Sequence, residues 1–499
     1  MKRLMALVLA ATFAFGGVAS AQSGVDVKVK GVWDFTFGWV ENSFVNSRRA
    51  NDRGLDRNDD NFVARQRVRT QINFIASENL QGVLFFEIGN LNWGNTNGNG
   101  KVGQSSGGDL AADGVNIETR RAYLDWMIPD TGVSVRMGIQ GLGLPSATDF
   151  VNPVFEDDVA AITVSYKFDD TFALTAFWAR PFNQNLNDSE AGGNRSLDDE
   201  MDMFGLILPI TLDGMEITPW YVYSSVGSES GFYPAVFALG GGLPTNVENT
   251  HATTWWAGIG VSVDMFDPLT FSFDVMYGDM HKMEVKDLSA RLGHAAPDTN
   301  TEWGSRGWFV DARIDYAFDF GSLGLFGWWS TGDSAEGVNA GRFGRMPSGF
   351  ADSGFAPTSF GWDRGFGMGA DADVVGYGGA GTWGVGIQLA DVSFIEDLSH
   401  TLRFAYYSGT SDKEVVRKFG GLVPAFGDMG LYLVDDDNVY EINFDHTYKI
   451  YENLTACLEL AYIHLDRSSV WKDPNYDGKI NGSKTDDAWK AQIHFQYAF

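Results

Sequence analysis

The chain has 499 residues, a formal net charge of −29, 44% hydrophobic and 14% aromatic residues, 60 glycines, 14 prolines and one cysteine. That apolar and aromatic content excludes a disordered chain, and the acidic balance argues against a nucleic-acid partner. The lone Cys457 excludes a disulfide framework within the chain.

Residues 1–21 read as a signal peptide. Lys2 and Arg3 are basic, Leu4 to Val18 is an apolar run, and Ala19-Ser20-Ala21 is a small-residue cleavage site. The run is shorter than the roughly 20 residues a spanning helix needs. An exported chain of 499 − 21 = 478 residues is expected, forming one domain over 22–499.

From there alternating segments recur to the end, with no helical period. Strands are expected at 25–40, 61–77, 82–93, 116–129, 132–140, 160–168, 172–180, 201–210 and 215–225. The second half gives 253–266, 270–280, 307–318, 323–331, 381–392, 398–409, 438–450, 454–467 and 488–499, eighteen in all. The connections alternate in length. Tight turns fall at "SENL", "PDTG", "DDT", "LDGM", "FDPL", "DFGS", "IEDL" and "YENL", built from residues suited to turn dihedrals. The others are polar and run roughly 20 to 50 residues, a length seldom seen inside a compact domain. One rim of short turns and one of long loops is the pattern of an outer-membrane barrel.

The strand faces agree. In 488–499, Trp489, Ala491, Ile493, Phe495, Tyr497 and Phe499 share one parity, and Lys490, Gln492, His494 and Gln496 the other. In 438–450, Tyr440, Ile442, Phe444 and Tyr448 oppose Glu441, Asn443, Asp445 and Thr447. Trp33, Trp39, Trp93, Trp126, Tyr166 and Tyr451 stand near strand ends, as interface girdles require. The expected fold is all-β: a transmembrane antiparallel β-barrel of about eighteen strands, with sixteen possible, both ends of the mature chain lying on the short-turn side.

The last strand ends "QYAF", with Phe499 final and Tyr497 two before it. This resembles the C-terminal signal that the barrel-assembly machinery recognises. With the signal peptide, acidic balance and loop pattern, the chain resembles the homotrimeric porin family of sulfate-reducing bacteria over its whole mature length. The resemblance implies a homotrimer in the bacterial outer membrane, in contact with lipid and lipopolysaccharide. It also implies passive diffusion of ions and small hydrophilic solutes, and a third long loop folded into the barrel.

"ARQRVRTQINF" places Arg65, Arg67 and Arg69 on one strand face. Lipid-facing arginines cost ~2–4 kcal/mol each, so these must face the lumen. Lys28, Lys30, Arg121 and Arg136 share inward parity on neighbouring strands, giving a basic wall. The third loop, "GLGLPSATDFVNPVFEDD", carries Asp149, Glu156, Asp157 and Asp158 and is expected to face that wall across a constriction. The competing reading pairs the arginines with Glu87, Asp125 and Asp34. Ion selectivity stays open, since the net charge gathers cations and the wall favours anions.

Two alternatives accompany the porin. One is a sugar-selective channel with Phe85, Tyr123 and Tyr407 as a stacking track. The other is an adhesin or structural barrel with a closed lumen, whose longest loop (332–380) meets a partner. "DPNYDGKIN" offers Asp473, Asn475, Asp477 and Asn481 as calcium oxygens, but Lys484 stands where such a loop wants a glutamate. No cofactor is required. The seven histidines lack zinc spacing, and Asp445 and His446 point to opposite strand faces. No enzyme is expected.

Overall fold

The computed structural model describes residues 24–41, 61–94, 117–183, 200–227, 252–284, 302–348, 355–362, 365–366, 379–419, 426–427, 430–472 and 487–499. The signal peptide and the calcium-loop residues 473–481 lie outside them, as does most of the length of the long connections.

Eighteen strands form one antiparallel sheet closed on itself. They are β1 (Asp26–Glu41), β2 (Asn61–Ser77), β3 (Leu80–Asn92), β4 (Ile117–Ile128), β5 (Val133–Gly143), β6 (Glu156–Lys167) and β7 (Ala173–Asn183). Next come β8 (Glu200–Ile207, resumed at Ile210–Leu212), β9 (Met215–Val226), β10 (Ala252–Phe266), β11 (Leu269–Glu284) and β12 (Glu302–Phe318). The last six are β13 (Gly321–Ser330), β14 (Thr382–Ile395), β15 (Leu398–Gly409), β16 (Asn438–Tyr451), β17 (Leu454–Asp466) and β18 (Ala488–Ala498). The seam closes with Val32 opposite Ala498 and Glu41 opposite Trp489.

All eight predicted tight turns separate consecutive strands. Asp130, Gly132, Gly214 and Asp397 supply the positive φ angles that such turns need. Strand β8 departs from the uninterrupted 201–210 expected. Pro209 has no N–H to give the ladder, and regular pairing stops before it and resumes after it.

Alternation gives each strand its two faces. Toward the long-connection rim, Trp39, Trp93, Trp308, Trp329, Tyr440 and Trp489 are exposed outward; toward the turn rim, Trp33, Trp126, Tyr166, Phe318, Tyr448 and Tyr451 are. Between them lie aliphatic side chains such as Leu124, Ile162, Leu206, Ile259, Leu325 and Ile387. An apolar band between two aromatic girdles fits a lipid bilayer.

Some inward glycines are seats for large rings. Trp220 lies over Gly258 and Trp328 over Gly384, where an added Cβ would sit 2.4 Å and 2.3 Å from the ring. A strand without a side chain at that point lets a large ring lie flat against the wall.

Candidate constriction site

Two of the long connections run across the inside of the barrel. The first joins β5 to β6 and buries Leu144, Phe150, Val154 and Phe155. Its tip is held by strands on the far side. Asp274 of β11 accepts hydrogen bonds from the N–H groups of Ala147 (2.9 Å) and Thr148 (3.1 Å) and from Ser146 Oγ (2.9 Å). Thr148 Oγ1 donates to Asp311 of β12 at 2.5 Å, and Arg313 reaches Asp149 at 3.1 Å. Gly, Pro and apolar residues let this segment cross the lumen, and its few polar groups are spent on the opposite wall. The inward course expected of the third loop is present.

The second is the connection from β13 to β14. Its described part places Phe355, Phe360 and Trp362 at 0–2% exposure among Phe150, Phe309, Trp328 and Tyr407. Glu441 of β16 fixes it. This carboxylate accepts from Thr358 Oγ1 (2.7 Å), the N–H groups of Phe360 (3.0 Å) and Gly361 (3.1 Å), and Tyr407 Oη (2.9 Å). Glu459 of β17 accepts from Phe366 N–H at 2.5 Å, and Lys490 of β18 donates to the Ser359 carbonyl at 2.6 Å. Four backbone or hydroxyl donors on one buried carboxylate make a strong anchor, because each bond is charge-assisted.

The inner wall of β2–β5 is open in part. Arg69, Arg121 and Arg136 keep 31%, 39% and 40% of their side-chain surface, whereas Arg65 and Arg67 beside them are largely buried, as are Glu441, Glu459 and Lys490 on the other side. Here the arginine ladder stands. Arg65 donates to Asn92 (2.7 Å), Arg67 to Asp34 (3.2 Å), Arg69 to Glu87 (2.6 Å) and Arg136 to Asp125 (2.6 Å). Arg120 bridges Glu87 (3.0 Å) and Asp158 (2.7 Å), and Arg121 shares Asp158 (2.5 Å). The pairing with Glu87, Asp125 and Asp34 posed as a competing reading is therefore present, without burying the arginines that keep surface. Arg136 lies 4.4 Å over the Tyr123 ring and Arg121 5.5 Å over Phe85.

Other predicted residues fall elsewhere. Glu156, Asp157 and Asp158 are not in the loop but on β6, paired with Gly143, Leu142 and Gly141, because the ladder runs further than the alternation suggested. Of the four acids, Asp158 meets the arginine cluster, and Asp149 instead pairs with Arg313 on β12. Lys28 and Lys30 lie at the turn-rim end of β1, where Lys28 is 4.0 Å from Asp26 and 70% exposed. Tyr407 is fully buried beneath the second connection and lines no track.

Three residues that sequence reasoning passed over matter here. Arg120 and Glu459 were not singled out, and Glu441 was placed inward with no role given. Glu459 also stands 2.9 Å from His494, which stands 2.9 Å from Thr36. This hydroxyl–imidazole–carboxylate chain is 0–2% exposed, so it braces the seam of β1, β17 and β18.

No family model and no curated protein matches the chain. Solved structures do. OccAB3 of Acinetobacter baumannii is 10% identical, with a TM-score of 0.52 over 95% of this chain and 99% of that one. OccK9 (OpdG) of Pseudomonas aeruginosa and OccAB1 of A. baumannii are each 11% identical at a TM-score of 0.52, covering 95% of this chain and 98% and 96% of theirs. At such identity the likeness is one of fold: the closed eighteen-stranded barrel.

Proposed function

We propose that this chain is a porin of a bacterial outer membrane, giving small hydrophilic solutes and ions a passive, water-filled path along the arginine wall. An apolar outer band between two aromatic girdles supports the location. Barrels of this strand number are wide enough to leave an aqueous lumen. The two inserted connections fill one side of it, which pushes the path toward β1–β5.

The observation that carries the reading is the part-exposed arginines at that wall. Arg69, Arg120, Arg121 and Arg136 keep 23–40% of their side-chain surface while bonded to Glu87, Asp158 and Asp125. Guanidinium groups that keep surface beside a low-dielectric wall attract anions entering the path.

Single-channel recording in a planar bilayer tests this. The wild type should conduct with a reversal potential displaced toward the anion, and Arg69→Glu should move it toward the cation. A folded barrel that never opens would favour a closed-lumen surface protein instead. A second reading, a solute-selective channel, draws on Tyr123 and Phe85 beneath Arg136 and Arg121; saturable block by one solute would distinguish it. A homotrimer and membership of the sulfate-reducer porin family belong to the same proposal, and openings in steps of three would support the assembly. Phe499 is assigned to recognition by the assembly machinery.

A further inference from the structure

At the long-connection rim, the outer face of β10–β12 carries a row of rings. Trp255, Tyr277 and Trp308 follow one another at centroid distances of 5.3 and 4.8 Å. One step further out, Asp279 of β11 stands opposite Arg306 of β12 in the ladder. A second arginine arrives from the connection after β13. Arg342 and Phe343 pair in parallel with Gly304 and Ser305 of β12. Phe343 is 2% exposed, so alternation turns Arg342 outward, where its Nη1 lies 4.0 Å from Asp279 Oδ2. Lys282 secures the arrangement by donating to the Ala340 carbonyl at 2.6 Å.

The stoichiometry sets this cluster apart from the arginine–carboxylate pair on the outer face of β7 and β8. Arg180 meets Asp202 one to one through two bonds, at 2.9 and 2.8 Å. Glu41 accepts from Trp489, and Asp487 bonds Tyr462 and His464. At Asp279 two guanidinium groups flank one carboxylate, Arg342 at 4.0 Å and Arg306 opposite it in the ladder, a local positive excess on a chain of net −29. Arg306 is exposed. The nearest acid along β12, Glu302, is four residues further out, ~13 Å at strand rise.

We propose that Arg306 and Arg342 dock the phosphate groups of a phosphorylated glycolipid in the outer leaflet. The acyl chains would lie along the Trp308–Tyr277 row below. A guanidinium fork matches phosphate oxygens bidentately, and the aromatic row sets the depth at which headgroups sit. This rests on the outer-membrane reading above, because a lipid of that kind must surround the barrel.

The test compares detergent-solubilised full chain with bis-phosphorylated lipid A and with the same lipid stripped of both phosphates, by native mass spectrometry. The wild type should hold the phosphorylated lipid roughly tenfold more tightly. Arg306→Gln with Arg342→Gln should abolish that preference, while Arg180→Gln on the other flank keeps it. Where the double variant fails to fold, Arg306→Gln alone should reduce the preference. A preference that survives the double change overturns the site. So does equal loss of both lipids, which would mean damage to the aromatic row. Conductance is recorded on the same preparations. A silent channel with an intact phosphate preference removes the porin reading and leaves the docking site standing.

Discussion

Arg120 and Arg121 are consecutive in β4, yet both guanidinium groups end on one carboxylate, Asp158 of β6, at 2.7 and 2.5 Å. Neighbours in a regular strand point to opposite faces. Here the ladder slips between Phe85 and Phe86, which pair with Arg121 and Thr119, so Arg120 is the extra residue of a bulge. A bulge re-aims a side chain, and this one brings a sixth arginine to the wall. Asp158→Asn removes a carboxylate shared by two arginines of that wall. Anion preference should rise by roughly twofold if these arginines set selectivity, as read from the reversal potential under a salt gradient. An unchanged reversal potential would mean that the path does not pass this cluster.

The bulge also marks where the sequence stops being readable. Parity and turn chemistry located eighteen strands, because lipid on one side and water on the other enforce strict alternation, and because Asp, Asn, Gly and Pro announce each tight turn. A bulge breaks the alternation without any residue type that signals it, so Arg120 was not found by parity. The connection of 332–380 was ambiguous for another reason. "GFAPTSFGW" is apolar enough to pack, but nothing in it names the carboxylate that receives it. Glu441 looks like any inward polar residue until the connection is seen seated on it. The Asp473–Asn481 stretch lies outside the described residues.

Glu441 therefore makes a sharp experiment. Glu441→Ala would strip the acceptor from Thr358 Oγ1, two backbone N–H groups and Tyr407 Oη, all buried. Each buried donor left without a partner costs about 1–3 kcal/mol, so the second connection should loosen from β16. Conductance should increase and become noisier, while the barrel keeps its heat-modifiable migration in gel electrophoresis. A quiet channel of unchanged size would show that the aromatic contacts alone seat the connection.

Gly384 tests the fit between rings and bare strand. A Cβ there would meet the Trp328 ring at 2.3 Å, and Trp328 in turn supports Phe355 and Trp362 of the inserted connection. Gly384→Val should destabilise the barrel by about 1–3 kcal/mol through overpacking, seen as a lower denaturant midpoint in refolded protein. Gly384→Val with Trp328→Leu should recover part of that loss, since the smaller side chain vacates the space.

The seam offers the last case. Phe499 exchanges backbone hydrogen bonds with Gly31, N–H to carbonyl in both directions, at 2.9 and 3.0 Å. Its ring covers the same glycine, where a Cβ would lie 2.5 Å from Cζ. The final residue thus closes the barrel on its first strand at a point of β1 that has no side chain to refuse it. Gly31→Val should leave the C-terminal sequence intact while blocking its seat. If closure is limited by that seat, refolding into lipid should slow and the heat-stable band should weaken, as Phe499→Ala would also make them do. A Gly31→Val barrel that refolds at the wild-type rate would place the importance of Phe499 entirely before closure.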